Sequence, residues 1–279
     1  MWLTQHLLIF VHLLFLHKEI GFANCEALIG DPNDNNVRET YYETEFPFIP
    51  YIRVDMKKYP LVPMIECSGT LISKKHVLTV EHCFENHILP RHLEVLIGSS
   101  QLENCQSYGV ESRAIYYDWC LKNRKSCDPE RDDITILTLT KKVGLWFFKP
   151  IILSTKTDEE VYGMSVRVAG WGITPGNHVS PTLRTASVTI LSRDECKTIL
   201  RNNHMDENSL YYSYLCTKAD PFVILTKGDS GGPVFYKGNR LLAINRNICP
   251  SFVPSCNQVN MHIGIDHYRE FIMETMESS

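Results

Sequence analysis

From about residue 45 to residue 265 the chain is cut into short stretches rich in β-branched and aromatic residues, closed off by Gly, Pro, Asn, Asp or Ser. This texture restricts the fold more than any other feature of the sequence. Phe46–Met56, Leu93–Ser99, Ile134–Leu139, Val166–Gly170, Ala186–Leu191, Val234–Tyr236, Leu241–Asn245 and His262–Ile265 read as strands, since such side chains suit a pleated, largely buried surface. Their spacing predicts an all-β barrel or sandwich. Polar–apolar alternation is imperfect, as in strands covered on both faces. Two helices interrupt the pattern. Ser192-Arg193-Asp194-Glu195 has the spacing of a capping box ahead of Ile199 and Leu200. Tyr268, Phe271, Ile272 and Met276 form an apolar stripe at helical spacing, which reads as core packing.

The 279 residues contain no Pro/Gly/Ser-rich linker and no internal repeat, so two barrels would be halves of one unit. A hydrophobic content of 44% argues against disorder, and a formal net charge of −4 gives no electrostatic reason to expect nucleic acid. The ten cysteines include no Cys-x-x-Cys pair, and no His-Glu-x-x-His occurs; neither a metal nor a cofactor is expected. An even count, spread from Cys25 to Cys256, points to disulfides made in an oxidising compartment. The N-terminus agrees. Leu7 to Leu16 is apolar apart from His12 and too short for a span of ~20 residues, and Gly21-Phe22-Ala23 offers a signal-peptidase site. The expected organisation is a signal peptide over 1–23, a pro-like segment over 24–45 and the folded domain over 46–279. A secreted, extracellular monomer without a membrane span is expected.

Three segments carry chemistry: Cys67-Ser68-Gly69-Thr70-Leu71-Ile72 with Val77-Leu78-Thr79-Val80-Glu81-His82-Cys83; Asp132-Asp133-Ile134; and Gly228-Asp229-Ser230-Gly231-Gly232-Pro233. Acyl transfer near neutral pH needs a hydroxyl nucleophile, an imidazole to take its proton and a carboxylate to orient that imidazole. Glycines beside the serine let backbone N–H groups point at a developing oxyanion. Gly-x-Ser-x-Gly also fits the α/β-hydrolase elbow, but that arrangement places acid and histidine after the serine. Only 49 residues follow Ser230, and they hold Asp266 and His267 side by side on an expected helix. The order His82, Asp133, Ser230 is that of the double-barrel proteases.

On these motifs the chain resembles the trypsin/chymotrypsin family of serine proteases from about Phe46 to Ile272, and Val168-Ala169-Gly170-Trp171-Gly172 adds the family's Gly-Trp-Gly turn. The resemblance implies two packed six-stranded antiparallel β-barrels with a C-terminal helix. It implies His82 as general base, Asp133 as its orienter, Ser230 as nucleophile, and the Gly228 and Ser230 N–H groups as oxyanion hole. It also implies Cys67–Cys83 and Cys196–Cys216 bridges. Cys120 with Cys127 and Cys249 with Cys256 could be local loops, leaving Cys25 with Cys105, although connectivity does not follow from sequence. Val166 and Tyr236 stand where the family has another bridge, and Thr226 where one beside the specificity pocket would begin.

The groove departs from the family. Ile224 takes the pocket floor, Arg246-Asn247-Ile248 replaces the usual Ser-Trp-Gly, and Ile248 and Asn260 stand in place of glycines. Glu81 puts a second carboxylate beside the histidine, where it could couple to Asp133. Family activation pairs a new Ile- or Val-led N-terminus with the acid before the nucleophile, here Asp229. The only basic residue between Asn24 and the first barrel strand is Arg38, and cutting there leaves Glu39 first, so tryptic activation is not expected. Leu28-Ile29-Gly30 resembles a mature terminus but follows Ala27, and its spacing to Phe46 looks too long. Two functions fit. One is a secreted serine endopeptidase of non-tryptic specificity, acting on protein or peptide substrates and open to protease inhibitors. The alternative is a catalytically impaired homologue that binds or regulates.

Overall fold

The structure, a computed structural model, describes residues 28–30, 36–42, 44–84, 88–144, 149–174, 178–246 and 259–278. Residues 1–23, expected to be a signal peptide, and Cys25, Ile248, Cys249 and Cys256 lie outside them. Two short strands come first, β1 (Ile29–Gly30) and β2 (Val37–Glu39). The first barrel then uses β3 (Tyr51–Val54), β4 (Glu66–Ser68), β5 (Thr70–Leu71), β6 (His76–Thr79), β7 (Leu93–Ile97), β8 (Gln106–Ile115) and β9 (Thr135–Leu139). Their order is β4-β3-β7-β8-β9-β6-β5. The ring has seven strands and is nearly closed, because Gly69 separates β4 from β5. Gly69 N and Leu71 N donate instead to Pro50 O and Phe48 O at 2.9 and 2.8 Å.

The second half of the chain supplies β10 (Ile152–Leu153), β11 (Ser165–Gly170), β12 (Arg184–Ile190), β13 (Tyr214–Lys218), β14 (Val223–Ile224), β15 (Pro233–Tyr236), β16 (Arg240–Asn245) and β17 (Asn260–Gly264). Six of these close a ring, β11-β12-β13-β17-β16-β15 and back to β11. β10 adds to β16 in parallel, β2 adds to β12, and β1 pairs with β14. Val37–Glu39 is therefore part of this barrel's sheet, upstream of residue 46. The helices are α1 (Tyr116–Lys122), α2 (Asp158–Val161), α3 (Arg193–Asn202) and α4 (Arg269–Glu277).

The strands expected from composition are found: β3, β7 and β9 are shorter than the runs that announce them, and β11, β12, β15, β16 and β17 are each one residue longer. β9 is buried at every position, which is why its sequence does not alternate. β8 escapes a composition-based reading because half of its ten residues are polar and much of it is exposed. α3 begins as its capping box predicts: Glu195 N donates to Ser192 Oγ at 3.3 Å, and Ser192 N donates back to Glu195 Oε2 at 2.8 Å. In α4, Phe271 and Ile272 are buried next to Tyr268, so the C-terminal stripe is core packing. Trp171 is fully buried, and its Nε1 donates to Ile49 O at 3.1 Å across the two barrels.

Cys67–Cys83 and Cys196–Cys216 are bonded, as the resemblance implies. Cys120 and Cys127 are not joined to each other, contrary to the expected local loop. Cys120 is buried and its Sγ donates to Lys125 O at 3.3 Å. Burial, reinforced by the neighbouring Cys127, pushes the Cys120 thiol up to about 12. Val166 and Tyr236, where a family bridge is absent, line a cleft of about 290 Å³ with Phe46, Arg167 and Phe235. Among the described residues no helix is long and apolar enough to cross a membrane.

Candidate active site

The crevice between the barrels is built from three loops. Glu81–Cys83 forms a short 3-10 turn pinned by the Cys67–Cys83 bridge. Asp133 lies just before β9, and the 228–232 loop leads into β15. His82, Asp133 and Ser230 come together here. Asp133 Oδ2 accepts from His82 Nδ1 at 2.6 Å, Asp133 Oδ1 accepts from His82 N at 2.8 Å, and His82 Nε2 lies 3.1 Å from Ser230 Oγ. Because the carboxylate fixes Nδ1 as the protonated nitrogen, Nε2 is left to accept the Ser230 proton. Asp133 is 5% exposed. Burial alone would raise its carboxyl, but hydrogen bonding from His82 and the charges of His82 and Arg246 hold it below the usual carboxylate range. Asp132, its neighbour, does other work: it accepts from Tyr268 Oη and Asp128 N, both at 2.8 Å, and so anchors α4 and the 128–132 turn.

Gly228 has φ +95° and Gly231 φ +82°, backbone that favours glycine. A Cβ on Gly231 would also fall 2.4 Å from Ser68 O. The first barrel holds this loop of the second. Ser68 N donates to Ser230 O at 2.9 Å, Ser68 Oγ to Gly228 O at 2.8 Å, and Thr70 Oγ1 to Gly231 O at 3.1 Å. Among the described residues, neither Gly228 N nor Ser230 N has a backbone acceptor, so both can face an oxyanion.

Asp229 is fully buried. Its Oδ1 accepts from Gly172 N at 2.9 Å; its Oδ2 accepts from Thr226 N, Leu28 N and Thr226 Oγ1 at 2.9, 3.2 and 3.3 Å. Desolvation raises its carboxyl against these donors. Leu28 therefore reaches Asp229, and the spacing to Phe46 that looks too long in the sequence is taken up by β1 and β2. Arg38, by contrast, lies inside β2 with its guanidinium on Glu45 at 2.7 and 3.2 Å.

Of the residues expected to line the groove, Asn260, Ile224 and Arg246 fall within the described residues. Asn260 is 5% exposed and ties two main-chain groups of the opposite wall: Leu225 N donates to its Oδ1 and its Nδ2 donates to Val223 O, each at 2.8 Å. Ile224 lies in β14, opposite Ile29 in the register. Arg246, expected along the groove, turns onto the acid that also holds His82, with Nε donating to Asp133 Oδ2 at 3.0 Å. Glu81 points toward Arg113 at 3.5 Å, and burial pushes its carboxyl up to about 7.

Sequence reasoning missed Ser68, Thr70 and the pair Asn245–His262. His262 is fully buried; its Nδ1 lies 3.1 Å from Asn245 Oδ1 and its Nε2 2.8 Å from Thr217 Oγ1. Desolvation pushes it down to about 3, so it is a neutral core residue that orients Asn245. No local signal marks such a histidine.

Two antiparallel barrels enclosing an aligned histidine, aspartate and serine define the trypsin-like protease fold. The Trypsin family model matches residues 38–272, and the chain belongs to the trypsin family. Human serine protease 41 is 32% identical over 178 residues, which are 60% of this chain and 55% of that protein, so the chain spans about half of that relative's length. Among solved structures, neuropsin, a serine protease expressed in the limbic system of mouse brain, superposes with a TM-score of 0.68 at 21% identity, covering 86% of this chain and 98% of that one. The scabies mite inactivated protease paralogue S-D1 also gives 0.68, at 18% identity, covering 86% and 96%. At these identities the two structures speak to the fold.

Proposed function

We propose that the protein is a secreted serine endopeptidase that cleaves peptide bonds through an acyl-enzyme. The observation that carries this reading is the His82 ring, bonded at once to Asp133 (2.6 Å) and to Ser230 (3.1 Å). Ser230 Oγ attacks the scissile carbonyl as its proton moves to His82 Nε2, and Asp133 steadies the imidazolium. The carbonyl oxygen, now an oxyanion, is met by the N–H groups of Gly228 and Ser230, donors typically worth ~3 kcal/mol each. His82 then gives its proton to the leaving amine, and a water, deprotonated by His82, hydrolyses the acyl-enzyme. Protein substrates and the proteinaceous inhibitors of such sites are the expected partners of a monomeric enzyme.

Specificity follows from Asn260 and Ile224. A Lys or Arg side chain in the pocket needs an acid to pair with, and neither residue supplies one. Small or medium apolar side chains are the fitting guests. The alternative, a catalytically impaired binding homologue, is favoured by one specific observation: Arg246 occupies a hydrogen-bonding position on the triad acid. Labelling of the purified protein with a fluorophosphonate separates the two. In that reaction the Ser230 Oγ–P bond forms as P–F breaks, the serine proton goes to His82 and fluoride leaves. Labelling that is lost in Ser230→Ala supports the enzyme; a folded parent that is never labelled supports the homologue.

A further inference from the structure

Arg246 is clamped on three sides. Nε donates to Asp133 Oδ2 at 3.0 Å, Nη2 donates to Glu130 O at 3.1 Å, and Cζ lies 4.9 Å from the centre of the Tyr214 ring. Its own N donates to Met261 O at 3.1 Å, which holds the backbone to β17. The side chain is 17% exposed, so this is a preorganised fork and not a mobile surface pair. Asp133 Oδ2 consequently serves two donors, His82 Nδ1 at 2.6 Å and Arg246 Nε at 3.0 Å. When His82 takes the Ser230 proton, a second positive charge forms two hydrogen bonds away from the guanidinium. Repulsion at that separation is weakly screened inside a protein.

We propose that Arg246 is a positioning residue that restrains the triad, competing with His82 for Oδ2 of Asp133 and thereby slowing proton transfer from Ser230. Its effect on rate rests on the catalytic reading above; the competition for Oδ2 does not.

Three variants separate charge from hydrogen bonding. Arg246→Met removes both and keeps an apolar stem over Tyr214, Arg246→Gln keeps a donor without charge, and Arg246→Lys keeps the charge without the fork. The first readout is the low-field proton resonance of His82 Nδ1–H, assigned by its loss in His82→Ala, which reports the His82–Asp133 bond in any folded form. It is expected to move downfield most in the Met variant, less in the Gln variant, which keeps a neutral donor, and least in the Lys variant. The second is the rate of Ser230 phosphonylation by a fluorophosphonate, expected to rise on the order of tenfold in Met and Gln and to stay near the parent in Lys. The Gln variant decides the matter if the Met variant does not fold. An unmoved resonance overturns the proposal, as does a moved resonance with phosphonylation no faster than the parent. If the resonance moves while no form is phosphonylated at all, the competition for Oδ2 stands and the endopeptidase reading falls.

Discussion

Asn260 offers a direct measurement of how β17 is tied to the 223–225 segment. Its amide crosses from β17 to the 223–225 wall with two hydrogen bonds of 2.8 Å, and Val223, Leu225 and Asn260 are exposed by only 4, 2 and 5%. Arg246 N, Gly264 N and the β17 ladder are unaffected by losing that side chain, so the cost is confined to the two bonds. In Asn260→Ala, Leu225 N–H and Val223 C=O are left buried without these partners, at about 1–3 kcal/mol each. The expected loss of unfolding free energy is about 2–6 kcal/mol, toward the lower end where water enters the vacated space. Urea denaturation measures it as a lowered midpoint at unchanged slope. The same variant should react faster with fluorophosphonates and peptide esters carrying small alkyl groups, since the space they require is opened. Asn260→Asp sharpens the test. Its carboxylate keeps the bond from Leu225 N but faces Val223 O with a second acceptor unless protonated. Burial and that carbonyl raise its folded-state proton affinity, so its stability should fall as pH rises past the ordinary aspartate range. A loss below about 0.5 kcal/mol in Asn260→Ala would refute the claim that this side chain pins the pocket wall.

Other outcomes follow from the same site. Glu81 binds its proton more tightly in the folded protein, up to about 7 against an ordinary 4.5, so its contribution to stability falls as pH rises between those values. Glu81→Gln should therefore stabilise the protein above pH 7, by at most on the order of 3 kcal/mol before solvent screening reduces it, and gain nothing below pH 4.5; equal melting gains at both ends would contradict this. Trypsin should neither cut the native protein at Arg38, which is held in β2 and paired with Glu45, nor raise its activity, as N-terminal sequencing and peptide hydrolysis will show. Asp229→Asn turns an NH2 toward buried donors that now meet carboxylate oxygens, and should cost about 3–5 kcal/mol in chemical denaturation; a near-neutral change would mean that Asp229 is not fully charged in the fold.

Much of the site was legible in the chain itself because its chemistry is local. Glycines at +95° and +82° within two residues of Ser230, a cysteine one residue from His82 and an aspartate just ahead of a buried strand are short-range requirements. Any sequence that satisfies them writes them down within a few residues. The same holds for the Ser192 capping box and the α4 stripe, where a side chain and its partner lie three or four positions apart.

What only the tertiary structure decided are the partners of buried polar groups, since a donor that loses water must find whichever acceptor packing brings within reach. Asp229 finds Leu28 N 201 positions away, next to the strand β1 that pairs with β14, and β2 adds to β12 of the second barrel. Arg246 finds Asp133 across 113 positions, so a residue that reads as part of a substrate groove becomes a neighbour of the His82–Asp133 pair. Asn260 finds Val223 and Leu225, 37 and 35 positions back, and makes a pocket lining into a strut. No periodicity or spacing encodes these pairings, because they depend on how two closed sheets dock and not on the conformation of any one segment.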